Sequence, residues 1–86
     1  MTSEARSRRV VVGAPLGLHA RPAAEIARRM QSSSSPLTVV AEDGRRADAA
    51  SVIALMTLDV RHGDAVRLEP EGHPLLDAVE QILVGG

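Results

Sequence analysis

The residues best equipped for chemistry lie together in Gly17-Leu18-His19-Ala20-Arg21-Pro22-Ala23. From Ala20 onward, Ala23, Ile26, Ala27 and Met30 fall at helical spacing with Glu25, Arg28 and Arg29 opposite, so His19 stands where the chain turns into a helix. The amides of a first helical turn have no intrahelical acceptor and lie at the positive end of the helix dipole. They form a ready anion site. Imidazole is substantially neutral near pH 7 and, as a nucleophile, forms covalent intermediates. Attack by His19 on a phosphoryl group would set the new negative oxygens against the amides of Ala20 and Arg21. The Arg21 guanidinium would grip the same oxygens through its planar fork. Pro22 suits the first turn, where its missing N–H has no helical partner to lose. His19 is therefore the expected nucleophile, with Arg21 and the Ala20 amide stabilising charge. The plainer reading makes His19 a helix cap and Arg21 a solvated charge. Gly17, Arg21 and Pro22 in this spacing favour the chemical one.

The remaining polar candidates are weaker. Ser51 is placed to cap a short helix, Val52 to Leu58. His62 and His73 fall in expected loops, and neither has a carboxylate or second His at metal-ligand spacing, so no metal is expected. Arg6-Ser7-Arg8-Arg9 could touch nucleic acid but reads as a solvated tail. In the Val52 to Leu58 helix, Leu55 and Leu58 can share one inward face. Val52, Ile53 and Met56 then compete for space, and the surplus forms an exposed apolar patch beside His19 suited to a protein partner.

Positioning these residues falls to seven elements. Arg9 to Val12 is β-branched and stops at Gly13 and Pro15; the first helix covers Ala20 to Gln31. After the serine-rich loop Ser32–Pro36, a second strand covers Leu37 to Ala41. Asp43-Gly44 supplies positive-φ residues for a tight hairpin into a polar edge strand, Arg45 to Asp48. Asp64 to Glu69 alternates as a fourth strand, and Pro74 starts a last helix on Leu75, Leu76, Val79, Ile82 and Leu83. The order β-α-β-β-α-β-α gives an α+β fold, a four-stranded, largely antiparallel sheet with three helices on one face. Residues 1–7 are expected to be a flexible tail and 8–86 a single domain.

Composition narrows the choice of function. The 86 residues are 44% apolar, yet there is no Phe, Tyr, Trp or Cys. Aromatic cages, base-stacking platforms, thiolate nucleophiles and disulfides are excluded. Every basic residue is Arg, and the net charge is −1, without the basic excess of a nucleic-acid binder. No apolar run approaches the ~20 residues of a membrane span. A cytoplasmic protein is expected.

Gly-Leu-His-Ala-Arg-Pro-Ala resembles the active-site motif of the HPr family, the histidine-containing phosphocarriers of the phosphoenolpyruvate-dependent sugar phosphotransferase system. Asp48 to Leu58 is similar to the family's regulatory-serine and second-helix segment, and the likeness runs from Val10 to about Val84. It implies an open-faced β-sandwich. It further implies that enzyme I phosphorylates His19 on Nδ1 and that the group passes to an enzyme IIA. The protein would be a monomeric relay without a cofactor, not an enzyme in the strict sense. Ser51 matches the serine phosphorylated by a kinase in some members, and Val52, Ile53 and Met56 match partner-contacting positions, with Ala20 and Arg21 at the edge of that surface. Three positions depart from the pattern. Leu16 stands where many members have a small polar residue, and Asp59 where Gly is usual. Val84-Gly85-Gly86 offers no acidic side chain to pair with Arg21. A nitrogen-related paralogue using the same His, or a binding module independent of phosphorylation, are the alternative functions.

Overall fold

The computed structural model describes residues 6–85. Its elements are β1 (Arg8–Val11), α1 (Ala20–Met30), β2 (Thr38–Ala41), β3 (Arg46–Asp48), α2 (Val52–Thr57), β4 (Ala65–Glu69) and α3 (Leu76–Gly85). The expected order holds. The strands form one antiparallel sheet in the order β1-β4-β2-β3, which leaves β3 at an edge.

Strand alternation decides which face is covered. Val10, Val39, Ala41, Ala47, Val66 and Leu68 turn inward and are buried. They meet Ala23, Ile26, Met30, Leu55, Leu76, Val79 and Leu83 from the helices in one aliphatic core. Arg9, Arg67 and Arg46 are exposed on the other, open face. Arg8 belongs to the covered face, where its guanidinium reaches Asp77 at 2.6 Å and Glu80 at 2.8 Å on α3. These hydrogen bonds, that to Asp77 foremost, raise the Arg8 pKa further above its ordinary value. Arg8 is therefore a strand residue tied to a helix, not part of a solvated tail. Of the tail expected over 1–7, the first five residues lie outside the described residues; the Arg6 carbonyl accepts from the Glu71 amide at 3.0 Å.

The hairpin between β2 and β3 differs from expectation. Gly44 alone takes positive φ, at 93°. Its amide donates to the Ala41 carbonyl at 2.9 Å, and the Ala41 amide to the Arg45 carbonyl at 2.8 Å. The loop thus has a three-residue turn with glycine at the left-handed position, not a two-residue turn with Asp43 there as well. Asp43 instead accepts from the Arg45 amide at 3.0 Å and side chain at 2.8 Å, which lowers its carboxyl pKa below the ordinary range.

Arg45 in turn caps α2. Its guanidinium donates to the carbonyls of Thr57 at 3.1 Å and Leu58 at 2.8 Å. Those carbonyls sit at the negative end of the helix and lack helical donors. Arg45→Ala is expected to lower stability by about 1 kcal/mol, seen as a reduced Tm. Asp43, whose folded pKa is depressed, adds stability that is complete above the ordinary aspartate pKa. That contribution is lost as pH falls through the lowered value.

His73 lies in a loop as expected, and it is buried there. Its Nδ1 accepts from the Leu75 amide at 3.0 Å, which puts the ring proton on Nε2, 3.0 Å from the Ser35 carbonyl. The ring joins the serine loop to the start of α3. At the other end of α3, the Leu83 carbonyl accepts from the amides of Gly13 at 3.0 Å and Ala14 at 3.2 Å.

Candidate functional site

Two short segments hold His19 in place. The Gly17 amide donates to the Ala14 carbonyl at 2.9 Å and the His19 amide to the Gly17 carbonyl at 2.9 Å. Between them Leu18 is buried, and its amide donates to the Val60 carbonyl at 2.9 Å. Gly17 has φ of 72°, and a Cβ there would run into the Val60 carbonyl and lie 2.6 Å from the Cα of Arg61. Only glycine brings the two segments this close without strain.

His19 is the N-cap of α1, in extended conformation at φ −90° and ψ −169°. The first helical bond runs from the Ala23 amide to its carbonyl at 3.1 Å, so Pro22 sacrifices no donor. Nδ1 accepts from the Arg21 amide at 3.4 Å. An acceptor at Nδ1 needs an unprotonated nitrogen, so the neutral ring carries its proton on Nε2 and presents its lone pair at Nδ1. The bond is long and correspondingly weak. That lone pair is easily given up to an electrophile. The ring is half-buried, while Ala20 and Arg21 are exposed. Among the described residues the Arg21 guanidinium enters no ion pair.

His19 opens onto a groove of about 490 Å³ lined by Pro15, Leu16, Met56, Asp59, Arg61 and His62, among others. Met56 and Leu16, exposed by 42% and 74%, form its apolar rim. Ile53 is 74% exposed on α2, whereas Val52 is half-buried and packs on the core. Ser51 caps α2, its hydroxyl accepting from the Ala54 amide at 3.1 Å. Thus Met56 shares the groove with His19, while Ser51, Val52 and Ile53 do not line it.

Sequence reasoning had not placed Asp59, Arg61 and His62 beside His19. Asp59 has φ of 55°, the positive-φ conformation that a glycine would adopt more easily. This conformation directs the chain from α2 back under Leu18. The departure from Gly at this position was a readable signal of a tight turn. That the turn forms the second wall of the groove needed the fold. His62 Nδ1 lies 3.4 Å from the Ala14 carbonyl, fixing the far side of the loop. Among the described residues no cluster of three or more His, Cys, Asp or Glu could hold a metal ion.

The family model described as "PTS HPr component phosphorylation site" matches residues 6–84. The phosphocarrier protein HPr of Mycoplasma pneumoniae is 35% identical over 77 residues, 86% of this chain and 88% of that protein. The phosphocarrier protein NPr of Proteus mirabilis is 34% identical over 76 residues, covering 88% and 84%. The crystal structure of a phosphocarrier protein HPr from Bacillus anthracis superposes with a TM-score of 0.79 at 25% identity, over 90% of this chain and 94% of that one. A histidine-capped helix opening on a partly apolar groove, an open-faced sheet and a family match along nearly the whole chain have one common explanation: this chain belongs to the HPr family of phosphotransferase-system phosphocarriers.

Proposed function

We propose that His19 is the phosphoryl acceptor of this carrier, reacting at Nδ1. The observation that carries the reading is the hydrogen bond from the Arg21 amide to Nδ1. It selects the tautomer with a free Nδ1 lone pair and puts an N–H donor where phosphoryl oxygens would arrive. As the P–Nδ1 bond forms, the bond from phosphorus to the donor breaks. The lone pair no longer binds the Arg21 amide, which turns to a phosphoryl oxygen. The Nε2 proton can leave to solvent, and Arg21 contributes its guanidinium to the dianion. The donor is phosphorylated enzyme I and the acceptor an enzyme IIA, in the cytoplasm; among the described residues no helix is long and apolar enough to cross a membrane. The protein acts as a monomer with a single domain, 8–86, and is phosphorylated and then regenerated once in each transfer. Incubation with phosphoenolpyruvate and enzyme I, followed by intact mass, should show one phosphoryl group, labile in acid and stable in base. No mass gain, or a base-labile one, overturns the assignment.

A second reading keeps the chemistry and changes the circuit. The likeness to an NPr as well as to an HPr supports a nitrogen-related branch. Rates with the enzyme I of each branch, compared side by side, decide between them.

Docking on Ile53 and Met56 belongs to the same proposal, with Val52 contributing from beneath. Both exposed side chains lie on α2, which packs against α1 and its site. Ile53→Glu and Met56→Glu are expected to change stability by no more than about 0.5 kcal/mol while raising the KM of enzyme I for this protein. Unfolding with normal kinetics in the folded fraction would assign both side chains to the core instead. Ser51 as the acceptor of a dedicated kinase is the remaining element. A phosphate there would stand at the start of α2, where its oxygens can take over the Ala54 amide from the hydroxyl, and phosphosite mapping after incubation with an HPr kinase and ATP tests it.

A further inference from the structure

Asp59 and Arg61 line the same groove as His19, and their side chains form an ion pair, Nη2 to Oδ2, at 3.3 Å. The backbone beneath them is firmly held. The Val60 carbonyl accepts from Leu18, the Arg61 amide donates to Asp64 Oδ2 at 2.9 Å, and the Asp64 amide returns to the Arg61 carbonyl at 3.0 Å. The side chains themselves are not, with 77% of Arg61 and 69% of Asp59 exposed. A long ion pair so exposed contributes little, so the guanidinium can leave its carboxylate for a stronger anion. Positive potential already reaches His19 from the α1 N-terminus and Arg21. Arg61 adds to it from the opposite wall, and Asp59 subtracts from it.

We propose that Arg61 is a specificity-determining residue that docks the phosphorylated donor through its dianionic phosphoryl group, and that Asp59 limits the strength of this attraction. The inference rests on the assignment of His19 as acceptor. Asp59 stands where the resemblance leads one to expect glycine, so this tuning is particular to the chain's own residues. Attraction of this kind acts on encounter and is screened by salt, so it appears in KM and fades with ionic strength.

The test uses Arg61→Gln, Asp59→Asn and the double variant in the full chain; Asn keeps the tolerance for positive φ. KM and kcat with phosphorylated enzyme I are measured at low and high ionic strength. Uptake from phosphoramidate, a small chemical donor, monitors His19 independently. At low ionic strength Arg61→Gln should raise KM about five-fold with kcat unchanged. Asp59→Asn should lower KM, the double variant should fall between, and the differences should shrink at high salt. Phosphoramidate uptake, read only as the final extent, should reach one phosphoryl group in all four proteins whatever its rate. A KM unchanged by Arg61→Gln, or raised equally at every ionic strength, overturns the inference while leaving His19 assigned. If the wild-type chain takes a phosphoryl group from neither donor, the His19 assignment fails, and this one with it.

Discussion

Replacing His19 with Ala is expected to reduce phosphoryl uptake from enzyme I to background while leaving a folded domain. On the proposed assignment the nucleophile is lost outright, and no neighbour is placed to substitute for it. His62 lines the groove, but its Nδ1 faces the Ala14 carbonyl and it stands in a turn rather than at the start of a helix. The structural cost is that of a weak N-cap, about 1 kcal/mol, because the Arg21 amide is as far as 3.4 Å from Nδ1. Arg21→Ala gives the contrasting result. The acceptor remains, so uptake continues, slowed about 100-fold by loss of charge stabilisation. Arg21→Lys should recover only part, since an ammonium offers a point charge and no fork. Intact mass and rates from radiolabelled phosphoenolpyruvate check both. Uptake by His19→Ala at the wild-type rate, or equal rates for wild type and Arg21→Ala, would remove the respective role.

The largest effect on stability is expected at Gly17. A side chain there meets two obstacles, since φ is 72° and the position of Cβ is occupied by the backbone of Val60 and Arg61. The conformation alone costs an L-residue about 1–2 kcal/mol. Backbone cannot swing aside as a side-chain tip can, so Gly17→Ala should lose about 3 kcal/mol in total. For a small domain that is a large share of its stability, and a Tm lower by about 15 °C is expected. The folded fraction should also transfer poorly, because relieving the clash pushes the His19 loop away from its second wall. A melting curve matching wild type would show that the two segments are not packed as described.

How much of this could be read beforehand follows from the range of the interactions involved. The His19 cap, the burial of Leu55 and Leu58, and the edge position of β3 rest on contacts close in sequence or on simple alternation, and they were legible. The hairpin was half legible. Asp43-Gly44 signals a turn, but its length depends on how Arg45 is used, and Arg45 is committed to the end of α2 across 12 residues. The burial of His73 within its expected loop was not legible for the same reason. Nothing near it in sequence shows that Ser33 and Ser35 will lie against its ring. The second wall of the groove joins positions some 40 residues apart, Leu18 to Val60, and only the folded sheet brings them together.

The double acceptance at the Leu83 carbonyl also bears on how the molecule breathes. Helix carbonyls in the final turn ordinarily face water, but this one holds the amides of Gly13 and Ala14 at the base of the His19 loop. Those two protons can exchange with solvent only when the last turn of α3 lifts. Their protection therefore follows the opening of the helix, although Pro15 and Leu16 beside them are exposed. Fraying of α3 therefore removes one of the two anchors of the His19 loop, and leaves the bond from Leu18 to Val60 to hold the other side.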